Sequence, residues 1–403
     1  MPEFGPRHHA VSVVLITTGV QMAVAMANIV LATIAPAVAQ DLGVDPAWVG
    51  YQVSLLFGAA TLSTVFGGAA VLRWGAGRAS QMSVLACALG LMLFALPHLA
   101  FIAIGSVAVG AGMGLANPAA AHLLVRYTAP ERRNLIFSVK QTGVPLGGVV
   151  TALTAPALAV TVGWRWSLAM ITAYTLVLFV LGRRYQTAWN SDRDPGRIVT
   201  QRPFSGVAMV WREGTLRWIS LVALVFSIVQ RSLLTFTVIY LVVEGGYGLV
   251  EAGVMLSVAQ IAGSVSRVAW GWLADRMRSS LAVLTMICVI TTASMTALVA
   301  LDGSWPRPVV YFLFFLLGMG TLGWNGVFHA ECARLSPPGM TSLVAGGTTF
   351  FVFAGVLLGP ALFAAAYQVI GSYSVTFSLM AVVSALSLAL LALAVRATRR
   401  AAA

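Results

Sequence analysis

Residues 218–243 read WISLVALVFSIVQRSLLTFTVIYLVV, a run in which Arg231 is the only charge. Coiled as an α-helix at 1.5 Å per residue, these 26 residues extend about 39 Å, whereas a bilayer's hydrocarbon core is roughly 30 Å thick. No face of such a helix is polar enough to meet water. The run is therefore a membrane span with a guanidinium near its middle. The rest of the chain has the same character. Its 403 residues are 59% hydrophobic and 9% charged, while a soluble domain carries about a quarter charged residues. The formal net charge of +12 is not a nucleic-acid signal, because the cations gather at the ends of apolar runs.

Apolar stretches recur near 11–38, 47–72, 80–96, 99–125, 135–160 and 166–181, and again near 218–243, 250–274, 281–298, 309–332, 343–367 and 373–395. They predict an all-α polytopic protein with twelve transmembrane helices, numbered 1 to 12 in that order. The one long polar interval, 182–217, separates residues 1–181 from 218–403. It predicts two six-helix bundles joined by a linker. All Lys and Arg except Lys140, Arg165, Arg231, Arg267 and Arg307 fall on the side that holds both termini and the linker. The positive-inside rule makes that side the cytoplasm, and the protein a multi-pass component of the inner (plasma) membrane. The first apolar run is long enough to be a span and not a cleaved signal peptide. Cys87, Cys288 and Cys332 make no disulfide framework or zinc spacing. Neither a nucleophile–base pair nor a nucleotide-binding loop is present. The expectation is a functional monomer in the lipid bilayer, without enzyme activity, metal or cofactor.

The two halves also repeat. Gly110, Gly112, Asn117, Arg126, Pro130 and Gly147 recur 208 residues later as Gly318, Gly320, Asn325, Arg334, Pro338 and Gly355. Gly50, Ser54, Ser63, Gly68 and Arg73 recur 203 residues later as Gly253, Ser257, Ser266, Gly271 and Arg276. Duplicated helical units are how many secondary transporters are built, with the substrate site near the membrane midplane.

Three cations interrupt the spans. A charge at mid-membrane costs roughly 2.5–3.5 kcal/mol on insertion scales, so each requires a partner or a role. Helical periodicity puts Lys140, the chain's only lysine, on a face with Gly143, Gly147 and Thr151. Arg231 shares a stripe with Ser220, Ser227 and Thr235, and Arg267 with Gly253, Gln260, Gly263 and Gly271. Small residues admit a neighbouring helix, so all three faces point into the bundles. Lys140 lies about five residues from its span's end, close enough to snorkel toward the interface. None of the twelve acids falls at mid-span. The alternatives are donation to backbone carbonyls or an anionic substrate that supplies the missing charge.

The segment GWLADR at 271–276 resembles the loop motif between helices 8 and 9 of the major facilitator superfamily. That resemblance implies a latching role for Asp275 and Arg276, with Gly271 in the motif. The N-terminal copy, GAAVLRWGAGR at 68–78, has Leu72 where the pattern has Asp, which leaves Arg73 as the partial counterpart. RVAWGWLADR at 267–276 further resembles the helix-8 stretch of monocarboxylate transporters, oxalate/formate antiporters and nitrate/nitrite porters. In those, an arginine at this distance before the Asp–Arg pair binds the anion. The chain departs from them at Gly263, where proton-coupled monocarboxylate transporters have an acid, and at Thr64, where nitrate porters have a second arginine. TGVPLGG at 142–148 resembles a helix-5 motif of drug/proton antiporters.

The expected function is secondary transport of a small organic anion, a carboxylate, by alternating access. The alternative is a multidrug or small-molecule efflux permease of the same superfamily. The candidate substrate contacts are Arg267, Arg231, Lys140, Asn325, Asn117, Gln141, Gln260 and Trp324. His329 is the candidate proton site, because imidazole titrates near neutrality.

Overall fold

The computed structural model describes residues 6–128, 136, 139–194, 205–301, 304–337 and 341–402. Glu3, Glu131, Asp302, Pro130, Pro338 and the side chain of Leu72 lie outside the described set. Among the described residues twelve long helices carry the chain. In the first half these are α1 (Pro6–Thr33), α2 (Val49–Trp74), α3 (Ala76–Phe94), α4 (Leu99–Tyr127), α5 (Gly143–Thr161) and α6 (Trp164–Arg183). In the second they are α7 (Gly214–Val243), α8 (Leu249–Met277), α9 (Ser280–Val299), α10 (Arg307–Gly323), α11 (Thr341–Ile370) and α12 (Tyr373–Ala402). Past Trp324, α10 resumes as Asn325–Arg334. Among the described residues eleven helices are long and apolar enough to cross a membrane. Their outer faces are apolar, with Phe66 68%, Val268 76% and Val369 88% exposed. Such an exterior suits lipid as its solvent.

Two compact units form, Met1–Val44 with Leu55–Gln201, and Asp45–Ser54 with Arg202–Ala403. Inside each, three repeat-related pairs of glycines make the same helix–helix contacts. A Cβ on Gly110 of α4 would strike the Leu56 carbonyl of α2, and one on Gly318 of α10 would strike the Ala259 carbonyl of α8. Gly112 lies against Ser83 and Cys87 of α3, and Gly320 against Thr291 of α9. Gly147 of α5 meets Met22 of α1, and Gly355 of α11 meets Leu224 of α7. The hydroxyls follow. Ser63 donates to the Ala111 carbonyl at 2.8 Å, and its counterpart Ser266 reaches the Met319 carbonyl at 3.4 Å. With no hydrophobic driving force between helices in lipid, this close backbone packing holds each unit together.

The interval expected as a linker divides. Gln186–Trp189 is a short helix whose Trp189 is fully buried. Ser205–Arg212 is a second short helix, whose Val210 joins the core of the second unit with Leu216, Trp324 and Phe351. Both ends of the polar interval are thus folded onto their own units.

Gly147 and Gly346 test the packing reading against each other. A Cβ at 147 would sit 2.6 Å from the Met22 carbonyl oxygen, whereas one at the helical Gly346 would meet nothing within 4 Å. Overpacking costs about 1–3 kcal/mol, so Gly147→Val should lower the Tm of purified protein by about 3–10 °C. Gly346→Ala should leave it level or slightly higher. Thermal unfolding of the two variants in one detergent decides the matter.

Candidate functional site

In the first unit the site is built where α4 and the start of α5 meet. Pro145 has no N–H to offer the Gln141 carbonyl, and the helix pauses at Thr142, the residue that precedes α5. Lys140 sits on the turn before that pause. Its side chain is 4% exposed, so it does not stretch to the headgroups. Its Nζ donates to Asn117 Oδ1 of α4 at 2.5 Å and approaches Gln141 Oε1 at 3.4 Å. Among the described residues no carboxylate lies within 4 Å of it. Two neutral amides hold the ammonium but do not neutralise it. One turn further, Gly143 lies against Thr18 and Gln21 of α1, and the buried Gln21 Oε1 has no hydrogen-bond partner among the described residues.

The second unit carries the two arginines. Arg231 is buried at the middle of α7. Around it the buried hydroxyls of Ser227, Ser232 and Thr235 have no hydrogen-bond partners among the described residues. Arg267 of α8 is half-buried, and its Nε donates to the Leu322 carbonyl of α10 at 3.1 Å. Trp270, one turn along α8, donates Nε1 to the Met319 carbonyl at 3.0 Å. The Leu322 carbonyl belongs to the last turn before α10 breaks at Trp324, where the ladder of i→i−4 bonds runs out, whereas that of Met319 lies one residue before that turn. The break thus explains part of Arg267: one donor serves the backbone. Its other guanidinium N–H groups make no hydrogen bond and no ion pair with the described residues.

The remaining candidates scatter around this frame. Gln260, two turns before Arg267, is buried, and its Nε2 has no partner among the described residues. Asn325 is half-buried at the start of the resumed α10, and His329 one turn on is exposed, its ring 5.1 Å from that of Phe328. Trp324, expected with the substrate contacts, is instead fully buried and stacked on Phe226 at 5.4 Å. Its Nε1 donates to Gln230 Oε1 at 3.0 Å, so the indole is committed to the core. Sequence reasoning missed that pair, and also Trp270, although Trp270 follows Arg267 by the one-turn spacing that puts both on α10.

Asp275, Arg276 and Arg73 are all exposed, and Arg276 lies 5.5 Å over the Trp272 ring. Asp275 borders a cavity of about 380 Å³ with Arg278, Glu331 and Arg334. There Arg334 grips the buried Glu331 with two hydrogen bonds, 2.9 and 2.6 Å long. The repeat-related Arg126 is also paired with an acid, but from a different place. Asp192, beyond α6, takes Arg126 at 2.9 Å and His122 at 2.7 Å. Beside it Asn190 accepts from the Arg78 backbone N–H at 3.0 Å. Partial burial works against ionisation of Asp192, but the His122 hydrogen bond and the charges of His122 and Arg126 outweigh it. Its carboxyl is held below the usual range.

A family model described as Major Facilitator Superfamily matches residues 17–360. Two uncharacterized MFS-type transporters of Mycobacterium tuberculosis are 25% identical over 246 residues, 59% of this chain and 51% of theirs. The chain thus spans about half the length of the curated relatives it matches. Among solved structures, a POT family transporter in complex with 5-aminolevulinic acid is similar with a TM-score of 0.80 at 12% identity, covering 98% of each chain. A bacterial homolog of the human lysosomal transporter Spinster is similar with a TM-score of 0.77 at 15% identity, over 96% of this chain and 97% of that one. At these identities the likeness is one of fold.

The Asp192 contacts define a pH test. A carboxyl whose pKa is depressed by folding stabilises fully above its ordinary range, near 3.9, and loses that contribution as pH falls through the folded value. Amide protection over 186–190 should therefore fall on acidification through and below the ordinary Asp range. In Asp192→Asn it should already be low at pH 7, with no further acid step. Hydrogen exchange with intrinsic rates corrected for pH reads both.

Proposed function

The chain belongs to the major facilitator superfamily, and from that premise we propose that it is a secondary transporter of a small organic anion, a carboxylate, working by alternating access. The observation that carries the proposal is the state of Arg267. One of its donors caps a broken helix, the others remain open, and no carboxylate of the described residues lies within 4 Å. A guanidinium offers five donors in a planar fork that matches a carboxylate. Lys140 supports the same reading from the first unit, since its ammonium is held by amides that leave its charge intact. Arg231, buried amid hydroxyls on α7, adds positive potential in the second unit.

In this reading Arg267 binds the carboxylate, with Gln260 and Asn325 beside it as neutral donors. Lys140, with Asn117 and Gln141, attracts the anion and gates its passage. Lipophilic cations are disfavoured, because positive potential in low dielectric repels them. Trp324 is left out, since its indole is already engaged. His329 is the candidate group for proton coupling.

The test is ligand-induced thermal stabilisation of the purified protein by mono- and dicarboxylates, followed by transport in proteoliposomes. A hydrogen bond to a charged group is worth about 1.5–3 kcal/mol. Arg267→Gln should therefore weaken carboxylate binding by roughly 10- to 100-fold, while its amide still serves the Leu322 carbonyl. Lys140→Arg should keep transport if the ammonium acts by charge alone, and Lys140→Met should lose it. Carboxylate binding undiminished in Arg267→Gln, or stabilisation only by uncharged or cationic drugs, would overturn the anion assignment.

A further inference from the structure

The geometry points to a second binding site, for the phosphodiester headgroup of an anionic phospholipid, at the arginine-bearing end of α7 and α12. A cavity of about 600 Å³ opens there. Its polar wall is Arg217 and Thr215 from the first turn of α7, Arg396 from the last turns of α12, and Glu213, which precedes α7. Its apolar wall includes Leu335 and Leu393. The two helices come together on small groups, with a Cβ on Gly214 only 3.8 Å from that of Ala397. Thr215 and Thr398 face each other with hydroxyls 3.4 Å apart.

Arg217 is prepared for an anion. Its guanidinium lies 4.9 Å over the Trp218 ring and 5.8 Å over the Trp211 ring. Its Nε is buried with no hydrogen-bond partner among the described residues. Neither Arg217 nor Arg396 forms an ion pair with a described carboxylate, that of Glu213 included. Aromatic faces fix the fork in place while leaving its N–H edge to a ligand, and such a fork pairs bidentately with phosphate oxygens.

The position selects a lipid. Both arginines stand at the ends of membrane-spanning segments, Gly214–Val243 and Tyr373–Thr398. The short helix Ser205–Arg212 immediately precedes the cavity. It packs Val207, Met209 and Val210 on the core and leaves Trp211 50% exposed, the pattern of a helix lying at the headgroup level. Basic pockets between transmembrane helices at this depth suit phospholipid headgroups. Two guanidiniums and the Glu213 carboxylate sum to one positive charge. A single phosphodiester anion cancels it, whereas a zwitterionic headgroup does not.

The test is thermal unfolding of the full-length protein in detergent, titrated with short-chain phosphatidylglycerol, phosphatidylethanolamine or phosphatidylcholine, or with inorganic phosphate. Phosphatidylglycerol should stabilise the wild type at concentrations at least tenfold below the zwitterionic lipids. The Arg217→Gln/Arg396→Gln variant should lose that preference, and the double Arg→Lys variant should keep most of it. Should the double Gln variant fail to fold, Arg396→Gln alone must still weaken phosphatidylglycerol several-fold, because Arg396 is exposed and its loss leaves the packing intact. An undiminished preference in the variants overturns the site. Equal stabilisation by phosphatidylethanolamine overturns the charge argument, and equal potency of inorganic phosphate reassigns the cavity to a free anion.

Discussion

Helices that touch backbone to backbone can do so only where a side chain is missing, and that constraint sets everything else in these two units. Gly110 and Gly112 of α4, against α2 and α3, and Gly147 of α5, against α1, fix three helix pairs of the first unit. Gly318, Gly320 and Gly355 fix the corresponding three of the second. In water such contacts would be minor beside hydrophobic burial. In lipid, where tails are as apolar as leucine, van der Waals packing and interhelical hydrogen bonds are what remain. The seryl bonds at 63 and 266 depend on the same close approach, because a hydroxyl reaches a neighbouring carbonyl only across a gap without side chains.

The two units share a plan but fill it differently. Where the first unit sets Ala60 of α2 against Gly114 of α4, the repeat puts Gly263 of α8 against Leu322 of α10, so the large and small members trade places. Gly67 faces Pro118 in the first unit. The repeat position of Gly67 is Trp270, whose indole reaches over to the Met319 carbonyl. α10 does not run through as α4 does. It stops at Trp324 and resumes, and the Leu322 carbonyl of its last turn takes a donor from α8.

Much of this was legible in the amino-acid sequence, for reasons that also explain what was not. Apolar runs 20 or so residues long are detectable without tertiary information, so the run at 47–72 foretells α2 at Val49–Trp74 within two residues. The glycine register foretells that the halves share a plan, and Gly110, Gly112 and Gly147 meet neighbours related by the repeat to those of Gly318, Gly320 and Gly355. The pause of α10 is different. Trp324 lies inside the apolar run at 309–332, so helical periodicity does not mark it as a break. The polar interval after α6 looked like a linker by composition, yet Trp189 buries itself and Asp192 finds Arg126 and His122. Contacts of that range are invisible to local pattern. Lys140 shows both sides: its inward face was readable from Gly143 and Gly147, whereas its partner Asn117, 23 residues away on α4, was not.

The backbone role of Arg267 sharpens the case for an anion, although it first looks like the plainer explanation. A guanidinium recruited only to cap a broken helix is an expensive donor, since a neutral indole also reaches the α10 backbone from one turn away at Trp270. Capping therefore accounts for one N–H and for the position of the arginine, and it leaves the charge unexplained. Neutral donors were sterically acceptable at this depth, and the position holds a cation all the same. The same contrast applies to Lys140, where an amide-to-amide contact with Asn117 would hold α4 and α5 together at less cost than a buried ammonium. In both units the packing needs a donor and the sequence supplies a charge. The difference between those two requirements is what an anionic substrate would use.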